Sequence, residues 1–97
     1  MDVTHEINGT SFVWNEGKNL KNQDKHSISF ESAVDSFFDP FFRVEDASRN
    51  SEPRDAIIGF DATQRLLYVV HIEVEGEFIR VISARRATTA ERFRYDQ

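Results

Sequence analysis

A histidine, a carboxylate and several cationic side chains lie near the predicted ends of secondary-structure elements, where binding and catalytic residues are concentrated. They form three short groups with one arginine upstream of the last: Lys25-His26, Glu52-Pro53-Arg54, Arg85-Arg86 and Arg80. These are the groups that metal-free cleavage of an RNA phosphodiester requires. One takes the proton of the 2′-hydroxyl, another protonates the leaving 5′-oxygen, and cations stabilise the phosphorane charge. Arginine suits the last task because its planar fork meets two phosphate oxygens.

Each group also has a purely structural interpretation. Lys25-His26 could be solvated charges at a helix C-terminus, which the helix dipole favours. The Glu52–Arg54 segment could carry ordinary loop charges, and Arg85-Arg86 could pair with a carboxylate such as Glu91. His71 lies in the middle of an apolar run, which favours a buried structural histidine over a catalytic one.

Metal and nucleotide chemistry find little support in the sequence. The three histidines, at positions 5, 26 and 71, lack the i, i+4 spacing of helical metal ligands. The four glycines, at positions 9, 17, 59 and 76, form no phosphate-binding loop pattern. No metal site and no cofactor are therefore expected.

The composition predicts one folded domain in a reducing, cytoplasmic setting. The chain has 97 residues, of which 39% are hydrophobic, and no cysteine, which excludes disulfides and a cysteine nucleophile. No secretory signal and no run of roughly 18 apolar residues are present. The net charge of −5 argues against a broad nucleic-acid surface. Residues 76–97, however, hold five arginines against three acidic residues, which leaves room for a local cationic site.

The main positioning element predicted is a β-hairpin over residues 65–86. A two-residue turn at Glu75-Gly76 would pair Val74 with Glu77 and Val70 with Val81. One face would then carry the even-numbered residues of the first strand, from Leu66 to Val74, beside Ile79, Val81, Ser83 and Arg85. A slip of one residue would invert this assignment. Apolar residues on both faces indicate that both are at least partly covered.

The remaining elements predict an α+β domain with a mainly antiparallel sheet of about four to five strands. Residues 1–10 are expected to be a flexible tail and residues 11–97 the domain. The other predicted elements are strands at 11–14, 41–45 and 56–60, a polar helix from the N-cap Asn15 to about Asp24 with Leu20 as its apolar anchor, a buried helix from Ser29 to the stop at Asp39-Pro40, and a C-terminal helix capped by Thr88 or Thr89.

Several short motifs follow one another in order over about residues 11 to 97. They are Phe12-Val13-Trp14-Asn15 with Lys18 and Asn22; Lys25-His26-Ser27-Ile28-Ser29-Phe30-Glu31 with Ala33; Phe38-Asp39-Pro40; Glu52 with Arg54; Ile58-Gly59; Arg65-Leu66-Leu67 with Val69-Val70; Ile82-Ser83-Ala84-Arg85-Arg86-Ala87-Thr88; and Glu91-Arg92 with Tyr95. This series resembles the BrnT family, toxins of type II toxin–antitoxin modules. Each motif alone is weak, but their order and spacing are specific.

The resemblance implies a small RelE-like fold and a ribonuclease that works without a metal. It also implies a tight complex, a heterotetramer or similar assembly, with an inhibitory BrnA-like antitoxin. That complex would bind DNA only through the antitoxin, and no membrane contact is expected. Carried over residue by residue, the resemblance points to a catalytic set of Lys25, His26, Glu52, Arg54 and Arg85. We expect His26 and Glu52 to transfer protons, in either order, and Arg80 and Arg86 to contact RNA.

The sequence departs from the family pattern at three points. Ser27 stands where the family usually has glycine, Pro53 stiffens the Glu52–Arg54 loop, and Asn50-Ser51 replaces a His-Ser pair. These departures and the acidic net charge keep two alternatives open. One is a catalytically degenerate module that still binds the antitoxin, and the other is an unrelated binding domain with structural arginines.

Overall fold

The computed structural model describes residues 1–97 as one mixed sheet with helices on both faces. The elements are β1 (Asp2–Ile7), β2 (Thr10–Asn15), α1 (Glu16–His26), α2 (Phe30–Ala33), a 3₁₀ helix (Val34–Phe38), β3 (Arg43–Asp46), β4 (Asp55–Phe60), β5 (Leu66–Val74), β6 (Phe78–Arg86) and α3 (Thr89–Tyr95). The strand order is β1-β2-β6-β5-β4-β3, and only the β2–β6 pair is parallel. The α+β class is confirmed, but the sheet has six strands instead of four or five. No helix has the length and apolar character needed to cross a bilayer.

The additional strand is β1, which the structure forms in the N-terminal segment that was expected to be a flexible tail. β1 pairs with β2 in an antiparallel hairpin whose turn, Asn8-Gly9, has positive φ at both residues. Asn-Gly is a strong hairpin signal for this reason. Val3 and Ile7 pack against the core, and between them His5 stacks on Trp14 at 4.8 Å between ring centroids. These three residues alternate with a period of two over only a short stretch, but pairing with β2 allows the segment to form a strand.

Helix α1 begins as predicted, because the Asn15 side chain accepts a hydrogen bond from the Lys18 amide. The helix continues to His26 and ends at Ser27, which adopts the left-handed conformation with φ of 59°. Leu20 was the wrong anchor, since it is 61% exposed. The buried residues of α1 are Asn19 and Asn22, so hydrogen bonds replace apolar packing on this face.

Asn22 fastens α1 to the edge of β6. Its Nδ2 donates to the carbonyls of Ile28 and Ala84, both at 2.8 Å, and its Oδ1 accepts from the Ala84 amide at 3.1 Å. The side-chain amide thereby satisfies both backbone groups of Ala84, as a neighbouring strand would. Because Asn22 is one helical turn before His26, this contact sets where α1 ends relative to β6.

The second predicted helix starts at its Ser29 cap and ends before Asp39, but changes form on the way. After Ala33 it tightens into the 3₁₀ helix, whose Ser36 Oγ donates to the Ala33 carbonyl at 2.7 Å. The tighter turn brings this segment against β4 at Gly59. A Cβ atom there would lie 2.6 Å from the Ser36 carbonyl oxygen, so only glycine fits without displacement.

The hairpin register differs from the predicted one on either side of a β-bulge between Val70 and His71. The connection is a three-residue loop, because Val74 pairs with Phe78 and Gly76 takes a φ of 76°. Between the loop and the bulge the predicted faces of β6 are therefore inverted, with Ile79 and Val81 on the helix-covered side. The bulge shifts the register again, and the predicted sides of Ser83, Ala84 and Arg85 are restored.

The core lies between the sheet and the layer formed by α1, α2 and the 3₁₀ helix. Its largest fully buried side chains include Trp14, Phe12, Phe30 and Ile57. On the opposite face, α3 contacts β4, with Tyr95 packed edge-on against Phe60. This cover is partial, and the strip of β5 and β6 next to α3 remains open.

Candidate active site

Two of the predicted site residues, Arg54 and Arg85, line one open pocket of about 300 Å³ on the α3 side of the sheet. A third arginine, Arg49, lines it too. The rest of the wall is formed by Ala47, Ser48, Tyr68, Val70 and Ser83. The strands β5 and β6 supply the floor, and the loop between β3 and β4 supplies one side.

The β5–β6 register places Arg85 directly opposite Tyr68. The guanidinium carbon of Arg85 lies 4.3 Å from the centroid of the Tyr68 ring, a close cation–π contact. Because this pairing lies beyond the bulge at Val70/His71, it depends on the shifted register. The aromatic ring supports the guanidinium from the sheet side and leaves its edge available to other partners.

Glu91, in the first turn of α3, holds Arg85 in place through two hydrogen bonds. Arg85 donates Nη1 and Nη2 to the two carboxylate oxygens at 2.8 and 2.9 Å. Glu91 also completes a capping box with Thr88. Burial favours the neutral acid, but the hydrogen bonds from Arg85 and Thr88 outweigh it, so the pKa of Glu91 lies below its ordinary value. The hydrogen bond with Glu91 correspondingly raises the pKa of Arg85.

The loop between β3 and β4 carries the other cations. Residues Asn50 and Ser51 both have positive φ and form its tip, where Arg49 and Glu52 are bridged through their backbones. Arg54 donates to the Glu52 carboxylate at 3.0 Å, while its Nε is buried without a hydrogen-bond partner. The Arg49 guanidinium has no carboxylate partner, so it is the unpaired cation of the pocket.

The electrostatic balance of the pocket is positive in an acidic chain. Three arginines meet two carboxylates, Glu52 and Glu91, whereas the whole chain has a net charge of −5. The arrangement can hold an anion in front of Arg49, Arg54 and Arg85. A phosphate group is suitable because each guanidinium offers paired donors.

Lys25 and His26 do not line this pocket. They lie at the exit of α1, where Lys25 is exposed and His26 half-buried. Two contacts place this exit beside the end of β6. One is the pairing of Asn22 with Ala84, and the other is the 3.5 Å approach of Arg65 to the Ser27 carbonyl. The pair is therefore near the end of the strand that bears Arg85, on the helix-covered side.

The two residues expected to contact RNA are also apart from the pocket. Arg80 lies on the same face of β6 as Arg85, but it is ion-paired with Asp2 of β1 at 3.0 Å. Arg86 is exposed and faces the helix-covered side, opposite Leu67.

Sequence reasoning missed Arg49, Tyr68 and Ser83. The hairpin pattern contained a usable signal for two of them, since it placed Tyr68, Ser83 and Arg85 on one face. No local pattern distinguished Arg49 from other loop charges, because its position depends on the positive-φ turn at Asn50-Ser51.

His71 is buried, as predicted. Its Nδ1 lies 3.1 Å from the Val69 carbonyl oxygen, to which the neutral ring donates, and the ring meets Phe37 edge-on. Burial lowers the pKa of His71, although the bond to Val69 and the charges of Asp55 and Glu73 act in the opposite direction. The structure brings together no group of three or more His, Asp or Glu side chains that could hold a metal ion.

Comparison with known protein families gives one match. The family described as "Ribonuclease toxin, BrnT, of type II toxin-antitoxin system" matches residues 14–91. This range contains α1, the loop between β3 and β4, the hairpin and Glu91, and so every residue that lines the pocket. A search of curated proteins found no match.

Proposed function

Because the chain belongs to the BrnT family of ribonuclease toxins of type II toxin–antitoxin systems, we propose that it is an endoribonuclease that cleaves RNA without a metal ion. The 2′-hydroxyl attacks the adjacent phosphorus, the bond to the 5′-oxygen breaks, and the products carry a 2′,3′-cyclic phosphate and a 5′-hydroxyl. The observation that supports this most directly is the pocket that Arg49, Arg54 and Arg85 line together.

In this proposal the three arginines bind the phosphate and stabilise the charge that develops on its oxygens. Arg85 needs little reorganisation, since Tyr68 and Glu91 already fix its guanidinium. Glu52 does not line the pocket itself but is ion-paired with Arg54, which does, and in this proposal it transfers a proton with the 2′-hydroxyl. His26 and Lys25 lie at the C-terminal end of α1, on the other side of the sheet. In this proposal they contact an RNA chain that extends from the pocket past the end of β6.

The test is cleavage of a labelled RNA in EDTA by the wild-type protein and by Arg85→Ala, Arg54→Ala and His26→Ala. Arg94→Ala is the matched control, because Arg94 is also ion-paired, with Glu45, but lies outside the pocket. We expect wild type and Arg94→Ala to cleave and the two pocket variants to lose about 100-fold or more in rate. Cleavage that EDTA abolishes would overturn the metal-free mechanism. Full activity in His26→Ala would remove His26 from it.

The proposed partner is a BrnA-like antitoxin, which neutralises the enzyme in a tight cytoplasmic complex, a heterotetramer or similar assembly. DNA contact occurs only through the antitoxin. A specific observation supports the alternative of a degenerate module that only binds the antitoxin. Both of the predicted pocket arginines, Arg54 and Arg85, are already neutralised by carboxylates. An absence of cleavage together with intact antitoxin binding would favour this second function.

A further inference from the structure

A second surface, apolar at one end and acidic at the other, lies along the free edge of β3. This strand ends the sheet, and the Ala47 amide bonds the Arg54 carbonyl on the β4 side. Since backbone groups alternate in direction along a strand, the amide and carbonyl of Val44 point away from β4, as does the amide of Asp46. These groups form a short unpaired edge, to which another strand can be added.

Exposed apolar side chains surround this edge. Phe42 and Val44 are 43% and 57% exposed, and the neighbouring Phe38 and Phe41 are 39% and 74% exposed. A patch of large apolar residues of this kind marks an interaction site in a soluble protein. Beside Val44 lies a hollow of about 180 Å³, with Phe12, Phe37 and Ile57 among its walls. The hollow is suited to one large apolar side chain.

The other end of the edge is acidic. Asp46 and Asp55 are direct partners in the β3–β4 register, an arrangement of like charges that weakens a sheet. Both residues line one hollow with Glu73 and Arg54, and the Arg54 charge is already countered by Glu52. The surplus of negative charge favours a cation from outside the chain. Side chains two positions apart on a strand share a face, so Val44 and Asp46 would contact residues two apart on an added strand.

We propose that the β3 edge binds an extended segment of the cognate antitoxin, which adds a strand to the sheet. The segment carries a large apolar residue beside Val44 and a lysine or arginine two positions along, beside Asp46 and Asp55. This inference rests on the proposed neutralisation by an antitoxin and assigns the surface on which it occurs. The apolar end of this surface shares no residue with the arginine pocket, whereas the acidic end adjoins the pocket at Ser48 and Arg54.

The charges disfavour two other occupants. RNA would meet Asp46, Asp55 and Glu73 at the acidic end. A second copy, paired antiparallel about Val44, would place the acidic end of each chain against Phe42 of the other and leave those carboxylates without a cation. An antitoxin segment with alternating apolar and basic residues satisfies both ends.

The test measures binding of the purified antitoxin to wild type, Val44→Lys and Leu20→Lys by calorimetry. Leu20 is the matched control, since it is 61% exposed and lies on α1, which lines neither hollow beside β3. We expect Val44→Lys to bind roughly 30-fold or more weakly, the loss typical of a central interface residue, and Leu20→Lys to bind like wild type. Equal affinities for the two variants, or no antitoxin binding by wild type, would overturn the inference.

Three further measurements examine the mode of binding. Amide hydrogen exchange should slow at Val44 and Asp46 when the antitoxin is bound, and unchanged exchange would contradict strand addition. Asp55→Asn should weaken binding and reduce its salt dependence without lowering stability, because it relieves the repulsion with Asp46.

Light scattering of the free protein checks for self-association. A dimer that Val44→Lys dissociates would assign the edge to a second copy instead.

These readouts are independent of catalysis. Val44→Lys should cleave RNA like wild type, since Val44 does not line the arginine pocket. If no variant cleaves RNA but the binding pattern is as expected, the docking surface stands and the enzymatic proposal fails. If cleavage is observed and Val44→Lys binds the antitoxin like wild type, only the docking surface fails.

Discussion

The substitution Asn22→Asp should be among the most destabilising changes of its size in this protein. Aspartate has nearly the same shape, but its ionised carboxylate offers no donor. The Ile28 and Ala84 carbonyls, now bonded at 2.8 Å, would lose their partner and face a negative charge. Each buried acceptor left unsatisfied costs about 1–3 kcal/mol, so we expect a loss of about 3–5 kcal/mol near pH 7.5. A domain of this size would melt at least about 12 °C lower.

Urea unfolding followed by circular dichroism provides the assay, with Asn15→Asp as the matched control. Asn15 acts only as an acceptor, from the Lys18 amide at 3.0 Å, and a carboxylate at a helix N-terminus does this equally well. Both variants add the same charge to the same helix, yet we expect Asn15→Asp to unfold within about 0.5 kcal/mol of wild type.

The pH dependence gives a second check. The surroundings of the carboxyl group introduced by Asn22→Asp disfavour the anion, so its folded-state pKa would lie above the unfolded value. Because the pKa is raised, the loss in free energy of unfolding relative to wild type grows as pH rises through the folded-state pKa. The loss shrinks in acid, where the protonated carboxyl group can donate one hydrogen bond. Equal unfolding midpoints for Asn22→Asp and wild type at pH 7.5 would refute the role assigned to this side chain.

Three further predictions concern local features of the fold. Gly59→Ala should lower the free energy of unfolding by about 1–3 kcal/mol, because its Cβ would lie 2.6 Å from the Ser36 carbonyl oxygen. Ser27→Gly should raise it by about 0.5–1 kcal/mol, because φ is 59° there and glycine adopts that conformation without strain. Since burial lowers the pKa of His71 below its ordinary 6.5, the unfolded state binds more protons, and stability should fall as pH drops below about 6.5.

Each of the two substitutions has a comparison variant that isolates its cause. Gly17→Ala makes the same chemical change within α1, where the new Cβ meets only the end of the Asn15 side chain, and should not destabilise. Ser27→Ala keeps the strained φ and should bring no gain. A urea midpoint that is constant between pH 7.5 and pH 5.5 would contradict the assignment of His71 as a buried neutral group.

Local signals predicted local structure well. The caps at Asn15, Ser29 and Thr88 form as expected because each depends on one side chain and a backbone amide three residues later. Ser27 illustrates the same point, since its positive φ is a conformation that favours glycine and it lies where the resemblance predicts one.

Features that depend on distant parts of the chain were less predictable. The bulge at Val70/His71 displaces the hairpin register, and no residue type signals it. Leu20 fitted the pattern of an anchor, but the α1 contact is made by polar side chains that bond to residues far away in sequence. Of the predicted site, Arg54 and Arg85 meet in one pocket, whereas Lys25-His26 lie beside the end of β6 on the other side.

The ion pair between Glu91 and Arg85 also determines how early the pocket can form while the ribosome is synthesising the chain. Arg85 emerges before its carboxylate partner, and α1 must wait for Ala84, 62 positions later, before Asn22 can be satisfied. A nascent chain that has not yet exposed Ala84 cannot seat α1, and one that has not yet exposed Glu91 cannot fix Arg85. Translation itself thus delays assembly of the pocket until almost all of these 97 residues have been synthesised.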